Sequence, residues 1–226
     1  MNAVRIVVFA KAPVPGRVKT RLIPALGETG AAHLAERMLE QALQQALAAA
    51  VGPVELCMSP APDAPEWAGI ALPAGIETSD QGGGDLGARM ARLLERGLAT
   101  GLPTILVGTD SPDLPPATVE CAFAALGRVD AVLVPARDGG YVLIGASRPL
   151  AGLFEIDAPW SSARVFAATC EALRREGCAF ETLRTWEDVD DAAALGRLAA
   201  RLDDDSAAAP ATARLLEAWR RQGVRF

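Results

Sequence analysis

The strongest constraint on the fold is a mostly apolar run near the start of the chain, at residues 4–9, that leads directly into a basic loop. A short run of this composition is typical of a strand buried inside a sheet. The loop that follows holds both lysines of the chain, Lys11 and Lys19, together with Arg17 and Arg21. Because α/β proteins bind ligands at the carboxyl ends of their strands, we expect this loop to lie at a binding edge.

The charge of this loop is opposite to that of the chain as a whole. Residues 1–27 contain five cations and no acid, whereas the formal net charge of the protein is −6. This local reversal indicates an anion site, most simply for a phosphate, and the alternative is a solvated basic surface loop without a ligand. A P-loop is excluded, because that motif requires Gly directly before Lys-Ser/Thr and here Val18 precedes Lys19.

Composition narrows the class of protein. The 226 residues fit a single domain with a sizeable core, and the sequence pI near 4.9 argues against general nucleic-acid binding. Apolar runs all fall short of the roughly 18 residues of a membrane span, and the N-terminal one ends at Lys11, which predicts a cytoplasmic protein without membrane association. The four cysteines lack a C-x-x-C spacing and His33 is the only histidine, which argues against a zinc site.

Strand-like and helix-like segments alternate along the chain. Strands are predicted at residues 4–9, 54–58, 70–78, 104–107, 130–135 and 179–183, with a turn and a strand over 137–145. Helices are predicted at residues 28–50, 86–98, 115–126, 160–176, 192–202 and 211–221. This alternation predicts one α/β domain over residues 1–226, with a mostly parallel central sheet, helices on both faces and a C-terminal helical appendage at 203–226.

A glycine-rich segment precedes the second predicted helix. Residues 82–84 are consecutive glycines, which permit positive φ angles and a close approach of the backbone to a ligand. Asp85 is a candidate cap for helix 86–98. A ligand-contacting loop and a flexible connector are the two interpretations of this segment.

One aspartate lies where a predicted strand ends. Asp110 follows strand 104–107 after a Gly-Thr turn, at an edge where a carboxylate can hold a divalent cation against a diphosphate. Oxygen ligands of this kind suit Mg²⁺ or Mn²⁺. Asp113 is assigned a structural role, either in organising the turn or in capping the helix that follows.

A pair of aspartates occurs much later in the chain. Asp188 and Asp190 are alternate residues, so in extended backbone they point the same way and could share a cation. The competing interpretation is that Asp190 or Asp191 caps helix 192–202.

Two further segments are candidates for contact with an acceptor substrate. Their residues are Asp138, Gly139, Gly140, Tyr141, Trp160 and Ser161. Asp138 opens an Asp-Gly-Gly turn and either contacts the acceptor or is simply a hairpin residue. Tyr141, the only tyrosine, either contacts an acceptor or is a half-buried strand residue. The Trp-Ser-Ser sequence begins helix 160–176, whose N-terminus could line an acceptor pocket, and Ser161 or Ser162 is the candidate N-cap.

Five motifs together resemble those of a known family. They are Phe9-Ala-Lys-Ala-Pro-Val-Pro-Gly-Arg-Val-Lys-Thr-Arg-Leu22, Gly84-Asp-Leu-Gly87, Gly108-Thr-Asp-Ser-Pro-Asp-Leu114, Asp138-Gly-Gly-Tyr-Val-Leu-Ile-Gly145 and Asp188-Val-Asp190. With these motifs the chain resembles the bacterial glycosyltransferase-like family of unknown function. Members of that family have a GT-A (nucleotide-diphospho-sugar transferase) fold. They are related to 2-phospho-lactate guanylyltransferases and, more distantly, to the guanylyltransferases of molybdenum-cofactor synthesis.

The resemblance implies that two loops bind a nucleotide or nucleotide-sugar. The residues concerned are Lys11, Pro15, Gly16, Arg17, Lys19 and Arg21 in the first loop, and Gly84, Asp85 and Gly87 in the second. It also implies a metal-binding aspartate at Asp110, with Asp188 and Asp190 completing a Mg²⁺ site.

The function predicted from these residues is that of a transferase. A nucleoside-diphospho-sugar donor and a small-molecule acceptor would react at a site that depends on Mg²⁺ or Mn²⁺, with Lys19 and Asp110 in catalytic roles. The alternatives are a guanylyltransferase-like nucleotidyltransferase that releases pyrophosphate, and a nucleotide-binding module without turnover. Formation of a homo-oligomer is compatible with each.

Overall fold

The computed structural model describes residues 3–150, 152–224 and Phe226. Its strands are β1 (Arg5–Lys11), β2 (Val54–Ser59), β3 (Glu77–Asp80), β4 (Thr104–Gly108), β5 (Ala131–Pro135), β6 (Tyr141–Ala146) and β7 (Phe180–Thr182). Its α-helices are α1 (Ile23–Ala48), α2 (Leu86–Leu98), α3 (Pro116–Ala125), α4 (Val165–Arg175), α5 (Ala192–Asp204) and α6 (Pro210–Arg221). Single turns of 3₁₀ helix occur at Thr20–Leu22, Pro65–Trp67 and Ser206–Ala208. Among these described residues, none of the helices has the length and apolar character needed to cross a membrane.

Within this part of the chain, the strands form one seven-stranded sheet in the order β3-β2-β1-β4-β6-β5-β7. Neighbouring strands are parallel except at β6, which is antiparallel to both β4 and β5. The reason is the short connection between β5 and β6, since a turn of a few residues can join only antiparallel strands. The predicted mostly parallel sheet is confirmed.

The apolar run that opens the chain is buried because β1 lies in the middle of the sheet, between β2 and β4. Ile6 and Val8 join the apolar core that packs against α1 and α3, whereas Val7 joins the core formed with α2 and α4. Successive side chains of a strand point to opposite faces of a sheet. Both faces are therefore covered by helices, as the sequence predicted.

A third apolar core joins α1 to the C-terminal helices. Leu34 and Met38 of α1 pack in one cluster with Leu195 of α5 and Leu216 of α6. Val189 belongs to the same cluster and is fully buried. The segment that carries the later pair of aspartates is therefore anchored in this core. The boundary predicted for a C-terminal appendage stays a prediction.

One predicted strand starts at another position than expected, and one predicted helix is preceded by an additional helical turn. The strand predicted at residues 70–78 is confined to Glu77–Asp80, because Pro73 cannot donate to a ladder and Gly75 has a φ of 82°. Helix α1 runs from Ile23, but the non-helical φ and ψ of Gly27 separate its first turn from the regular helix, which begins at residue 28 as predicted.

Helix α4 also begins later than predicted, at Val165 instead of residue 160. Neither Ser161 nor Ser162 is its N-cap. The hydroxyl of Ser162 donates instead to Pro159 O at 2.8 Å. Such a local side-chain bond stabilises a turn at the expense of the helix.

Candidate active site

A cleft of about 1030 Å³ opens along the carboxyl edge of the sheet. It lies where β1, β2 and β4 end and where β6 begins, which is the same edge because β6 runs antiparallel. Most of the residues selected from the sequence line it: Lys11, Arg17, Lys19, Arg21, Asp110, Asp138, Gly140, Tyr141, Trp160, Ser161, Asp188 and Asp190. In the described part of the chain, the lining does not include Pro15, Gly16, Gly84, Asp85, Gly87 or Gly139.

Among the described residues, three carboxylates form a compact cluster in this cleft. Asp138, Asp188 and Asp190 each offer one oxygen, and these oxygens all lie within 4.8 Å of one another. Burial, followed by the negative charge of Asp138, raises the pKa of Asp188 to about 6. Carboxylate oxygens at this spacing suit Mg²⁺ or Mn²⁺, and a bound cation would relieve their repulsion. Asp138 thus lies with the two later aspartates, a grouping that the sequence did not predict, and its Oδ1 also accepts from Gly140 N at 2.8 Å, as in a hairpin turn.

The direction of the two later aspartates follows from the alternating burial of residues 186–190. Glu187 and Val189 are buried, while Asp188 and Asp190 are partly exposed and line the cleft. Side chains alternate in extended backbone. One set of the alternating side chains therefore anchors the segment in the protein, and the other set presents carboxylates to the cleft.

Two aspartates near the cleft, Asp191 and Asp113, have structural roles. Asp191 caps α5 by accepting from Ala194 N at 2.7 Å, so Asp190 is available to the cleft. Asp113 does not cap α3. Its buried carboxylate instead accepts from Trp186 Nε1 at 3.2 Å, which ties the loop after β4 to the segment of residues 186–190.

Asp110 lies in the same cleft but is not a member of the carboxylate cluster. Its Oδ1 is 2.6 Å from Lys19 Nζ. That ammonium is also 3.1 Å from Asp190 Oδ1 and donates to Val189 O at 2.7 Å. The backbone of Asp110 accepts from Val189 N at 2.8 Å. Lys19 therefore joins two segments that already contact each other through their backbones.

Lys19 is a buried cation, with only 6% of its side chain exposed. Burial acts to lower its pKa, but the carboxylates of Asp110 and Asp190 outweigh burial and hold the pKa above its ordinary value. Its backbone is left-handed, with φ 46° and ψ 42°. For a residue other than glycine this conformation costs about 1–3 kcal/mol, a strain that is typical of functional sites.

The other cations of the loop lie at the rim of the cleft. Lys11 Nζ donates to Arg17 O at 3.0 Å, and the exposed Arg17 guanidinium is 3.3 Å from Glu66. Arg21 is exposed. Gly16 lets the loop turn, since its φ is 76°. These side chains are more exposed than that of Lys19, so a ligand phosphate can contact them directly.

The glycine-rich segment before α2 serves capping and packing. Asp85 accepts from Ala88 N at 2.8 Å, which confirms the predicted cap of α2. Gly87 lies against the ring of Trp160, and a Cβ added at Gly87 would be 2.5 Å from that ring. A glycine is therefore required at this position for the indole to pack on α2.

Three residues that line the β1–β2 side of the cleft were not among those selected from the sequence. They are Ser59, Gln81 and Arg89. Gln81 is buried and donates from Nε2 to Ala10 O at 2.8 Å and to Cys57 O at 3.1 Å. Arg89 Nη1 donates to Ser59 Oγ and to Gln81 Oε1, both at 3.4 Å. The signal that could have identified them is position, because Ser59 ends β2 and Gln81 directly follows β3.

Tyr141 and Trp160 border the cleft from its apolar side. The Tyr141 hydroxyl lies 4.0 Å from Met90 Sδ, and burial raises the pKa of this phenol. Tyr141 therefore packs as a partly buried strand residue beside α2. Trp160 packs with its ring centroid 6.1 Å from that of Phe154, and it lines the cleft together with Ser161.

Gly139→Ala is expected to destabilise the turn that carries Asp138. Gly139 has a φ of 94°, and an added Cβ would lie 2.1 Å from the backbone oxygen of Ala163. Because conformational strain and a backbone clash add, we expect the free energy of unfolding to fall by about 2–4 kcal/mol in urea titrations. Gly75→Ala is the matched control: its φ is 82°, but its Cβ would meet none of the described atoms within 4 Å. Equal losses in the two variants would contradict this expectation.

Comparison with solved structures defines the fold. A protein from Desulfovibrio desulfuricans G20, provisionally named a nucleotide-diphospho-sugar transferase, is 33% identical with a TM-score of 0.88, over 98% of this chain and 96% of that one. A cytidylyltransferase from Leptospira borgpetersenii serovar Hardjo-bovis is 12% identical with a TM-score of 0.57, over 99% and 95% of the two chains. A CMP:2-keto-3-deoxy-manno-octonic acid synthetase complexed with CTP is 13% identical with a TM-score of 0.55, over 91% and 100%.

The sheet order, the cleft at its carboxyl edge and these similarities define the class: the chain has the fold of the nucleotide-diphospho-sugar transferases. It belongs to the family described as "Uncharacterized protein conserved in bacteria (DUF2064)", which matches residues 29–162. Curated proteins gave no match to the sequence. The predicted GT-A-like fold is confirmed, and the predicted relation to guanylyltransferases stays a prediction.

Proposed function

We propose that the protein is a metal-dependent transferase that uses a nucleoside-diphospho-sugar donor and a small-molecule acceptor. The observation that carries this proposal is the presence of both signs of charge in one cleft. A cluster of carboxylates lies beside a buried lysine, and exposed cations lie at the rim. A nucleoside diphosphate with its divalent cation is a ligand that needs both signs of charge side by side.

The cation would be held by the carboxylate cluster. Asp138, Asp188 and Asp190 supply oxygen ligands at a suitable spacing, and Asp110 is a further candidate ligand in the same cleft. When bound, Mg²⁺ or Mn²⁺ supplies Lewis-acid stabilisation of the charge that develops on the leaving diphosphate.

The side chains of the basic loop would bind and orient the phosphates. The exposed cations that contact phosphate oxygens in this proposal are Lys11, Arg17 and Arg21. Lys19 holds Asp110 and Asp190 in place and offers its positive charge to the leaving group. A transfer of this kind depends mainly on positioning and electrostatics, so it requires neither a histidine nor a cysteine nucleophile.

In this proposal the nucleotide of the donor binds at one end of the cleft and the acceptor binds at the other. At the β1–β2 side, Ser59, Gln81 and Arg89 offer hydrogen-bonding groups for a nucleoside. The acceptor would lie on the other side, against Trp160 and Ser161 and the Asp138 turn, next to the strand that begins at Tyr141. The second loop predicted for nucleotide contact would act indirectly, by capping α2 and seating Trp160.

Nucleotidyl transfer is the second candidate function. The observation in its favour is the number of charges in the basic loop, since Lys11, Arg17 and Arg21 are exposed in addition to the buried Lys19. With a bound divalent cation, the three exposed charges would be enough to neutralise a nucleoside triphosphate, whose pyrophosphate would then leave.

A thermal-shift screen with nucleoside triphosphates and nucleotide sugars, each with and without Mn²⁺, tests the proposal. A ligand that binds only the folded state raises Tm, and we expect the largest rise with a nucleotide sugar in the presence of Mn²⁺. Product analysis separates the two reactions, because sugar transfer releases a nucleoside diphosphate and nucleotidyl transfer releases pyrophosphate. Binding without turnover would indicate a nucleotide-binding module, and the absence of any Mn²⁺-dependent rise would refute the proposal.

A further inference from the structure

A second set of charges, buried in the protein, connects the segments that carry the aspartates of the cleft. The side chains of Asp113 and Glu187 are only 4% and 8% exposed. Both accept from Arg201 of α5, whose Nε lies 2.6 Å from Asp113 Oδ2 and whose Nη1 lies 2.6 Å from Glu187 Oε2. Arg197, one turn earlier in α5, donates to Glu187 Oε1 at 2.6 Å. Two buried carboxylates are therefore matched by two guanidinium groups.

Each buried carboxylate belongs to a different acid-bearing segment. Asp113 is in the loop between β4 and α3, shortly after Asp110, and Glu187 directly precedes Asp188. Because Arg201 contacts both carboxylates at once, it fixes the distance between the two segments. It does so from their buried side, away from the cleft. Asp110 and Asp188 line the cleft on the same two segments.

Trp186 extends this connection to the third acid-bearing segment. Its Nε1 donates to Asp113 Oδ1 at 3.2 Å. Its backbone N donates to Pro135 O at 2.9 Å, and its backbone O accepts from Arg137 N at 3.2 Å. Asp138 follows directly in the chain. We call the four connected residues the Arg201 bridge; they are Asp113, Trp186, Glu187 and Arg201.

Stability alone does not account for the Arg201 bridge. Taking charges out of water is unfavourable, and a buried ion pair is often no more stabilising than apolar side chains of the same volume. What such a pair does fix is geometry, because a guanidinium that contacts two carboxylates tolerates little displacement. We propose that Arg201 is a positioning residue for the cation site, an inference that rests on the proposed function. In this proposal the Arg201 bridge sets the spacing of Asp138, Asp188 and Asp190.

Arg201→Gln and Arg201→Lys test this proposal by their affinity for Mn²⁺. The glutamine removes the charge that joins the two carboxylates, whereas lysine keeps the charge but loses the planar fork that reaches both. Loss of a residue that supports metal ligands typically weakens metal binding by about 10–100-fold. We expect calorimetric titration with Mn²⁺ to show a rise in Kd of about that size for Arg201→Gln and a smaller rise for Arg201→Lys.

Hydrogen exchange gives a second measurement that needs no metal. Val189 N donates to Asp110 O at 2.8 Å, and Arg137 N donates to Trp186 O at 3.2 Å. Both bonds join acid-bearing segments, so in Arg201→Gln both amides should exchange faster, on the order of tenfold, while the amides of β1 keep their rates. A purely structural role would instead accelerate exchange throughout the fold.

Arg220→Gln is the matched control. It breaks an exposed ion pair of α6 with Asp203, in which Nη2 and Oδ2 are 3.0 Å apart, and it should bind Mn²⁺ as the unaltered protein does. The proposal is overturned if Arg201→Gln retains full Mn²⁺ affinity, or if both variants lose affinity equally. If Arg201→Gln does not fold, Arg201→Lys carries the same comparison.

A failure of the proposed function would be recognised separately. In that case the unaltered protein would bind no Mn²⁺ at all. Faster exchange at Val189 and Arg137 in Arg201→Gln would still support the Arg201 bridge as a device that aligns the three segments. Unchanged exchange at both amides would overturn it.

Discussion

Replacing Asp188 with asparagine is expected to abolish Mn²⁺-dependent nucleotide binding while leaving the folded protein intact. Asp188 contributes one of the three clustered carboxylates, beside Asp138 and Asp190. Asparagine has nearly the same shape, so the substitution removes a charged ligand without opening a cavity. We expect the affinity for Mn²⁺ to fall on the order of 100-fold or more, as measured by titration calorimetry.

The same substitution should not reduce the stability of the metal-free protein. Burial and the charge of Asp138 raise the pKa of Asp188 to about 6. A carboxyl group whose pKa is raised on folding lowers stability at pH 7, because its charged form is less favourable in the folded state. The Tm of metal-free Asp188→Asn should therefore equal or exceed that of the unaltered protein. A misfolded variant would show a lower Tm, so the two explanations for lost binding are distinguishable.

Asp204→Asn is the control for this experiment. It makes the same chemical change at an exposed position at the end of α5, and it should alter neither Tm nor Mn²⁺ binding. If Asp188→Asn retains the original Mn²⁺ affinity, the carboxylate cluster is not the cation site.

Lys19→Met should change the affinities for metal and for nucleotide in opposite directions. Lys19 Nζ lies 2.6 Å from Asp110 Oδ1 and 3.1 Å from Asp190 Oδ1. Its charge therefore repels a cation bound beside Asp190, although the carboxylates of Asp110 and Asp190 that lie against Lys19 offset most of this repulsion. We expect Mn²⁺ alone to bind several-fold more tightly, and a nucleotide to bind at least about tenfold more weakly because its phosphates lose a cation.

The stability of Lys19→Met should fall at the same time. Methionine can occupy the buried path of the lysine stem, but Asp110, Asp190 and the carbonyl of Val189 lose their partner. We expect the free energy of unfolding to fall by about 1–3 kcal/mol. Arg128→Met removes the same charge from an exposed pair with Glu181 and is the control. Nucleotide affinity that is unchanged in Lys19→Met would favour the interpretation of the loop as solvated surface.

Helix α2 illustrates what the local sequence determines. It was predicted at residues 86–98 and lies at Leu86–Leu98, because its cap at Asp85 and its apolar spacing act over a few residues. The strand predicted at residues 70–78 begins later because Pro73 cannot donate to a sheet. Helix α4 begins later because the hydroxyl of Ser162 stabilises a turn instead. Strand ends were likewise predictable, which is why most of the selected residues line the cleft.

The pairing of charges inside the cleft depends on contacts that span the chain. Lys19 and Asp190 are 171 residues apart, and they meet because Val189 is anchored in the core of α1, α5 and α6. Asp138 reaches the cluster because β6 lies between β4 and β5, an order that alternating strands and helices do not determine. The sequence therefore predicted which residues share the cleft and that Asp188 lies with Asp190, but not that Lys19 pairs with two aspartates or that Asp138 joins the cluster. The role of Arg201 was missed for the same reason.

The strands at the two edges of the sheet bear on how the protein behaves when it is destabilised. β3 spans four residues and contains Glu77 and Asp80, and β7 spans three residues and contains Glu181. Short edges that carry charge resist pairing with a strand of another molecule. Growth of the sheet from one copy to the next, which is the first step toward a cross-β aggregate, is therefore disfavoured. This protection belongs to the folded protein, so in a destabilised variant such as Gly139→Ala it lasts only while the edge strands stay formed.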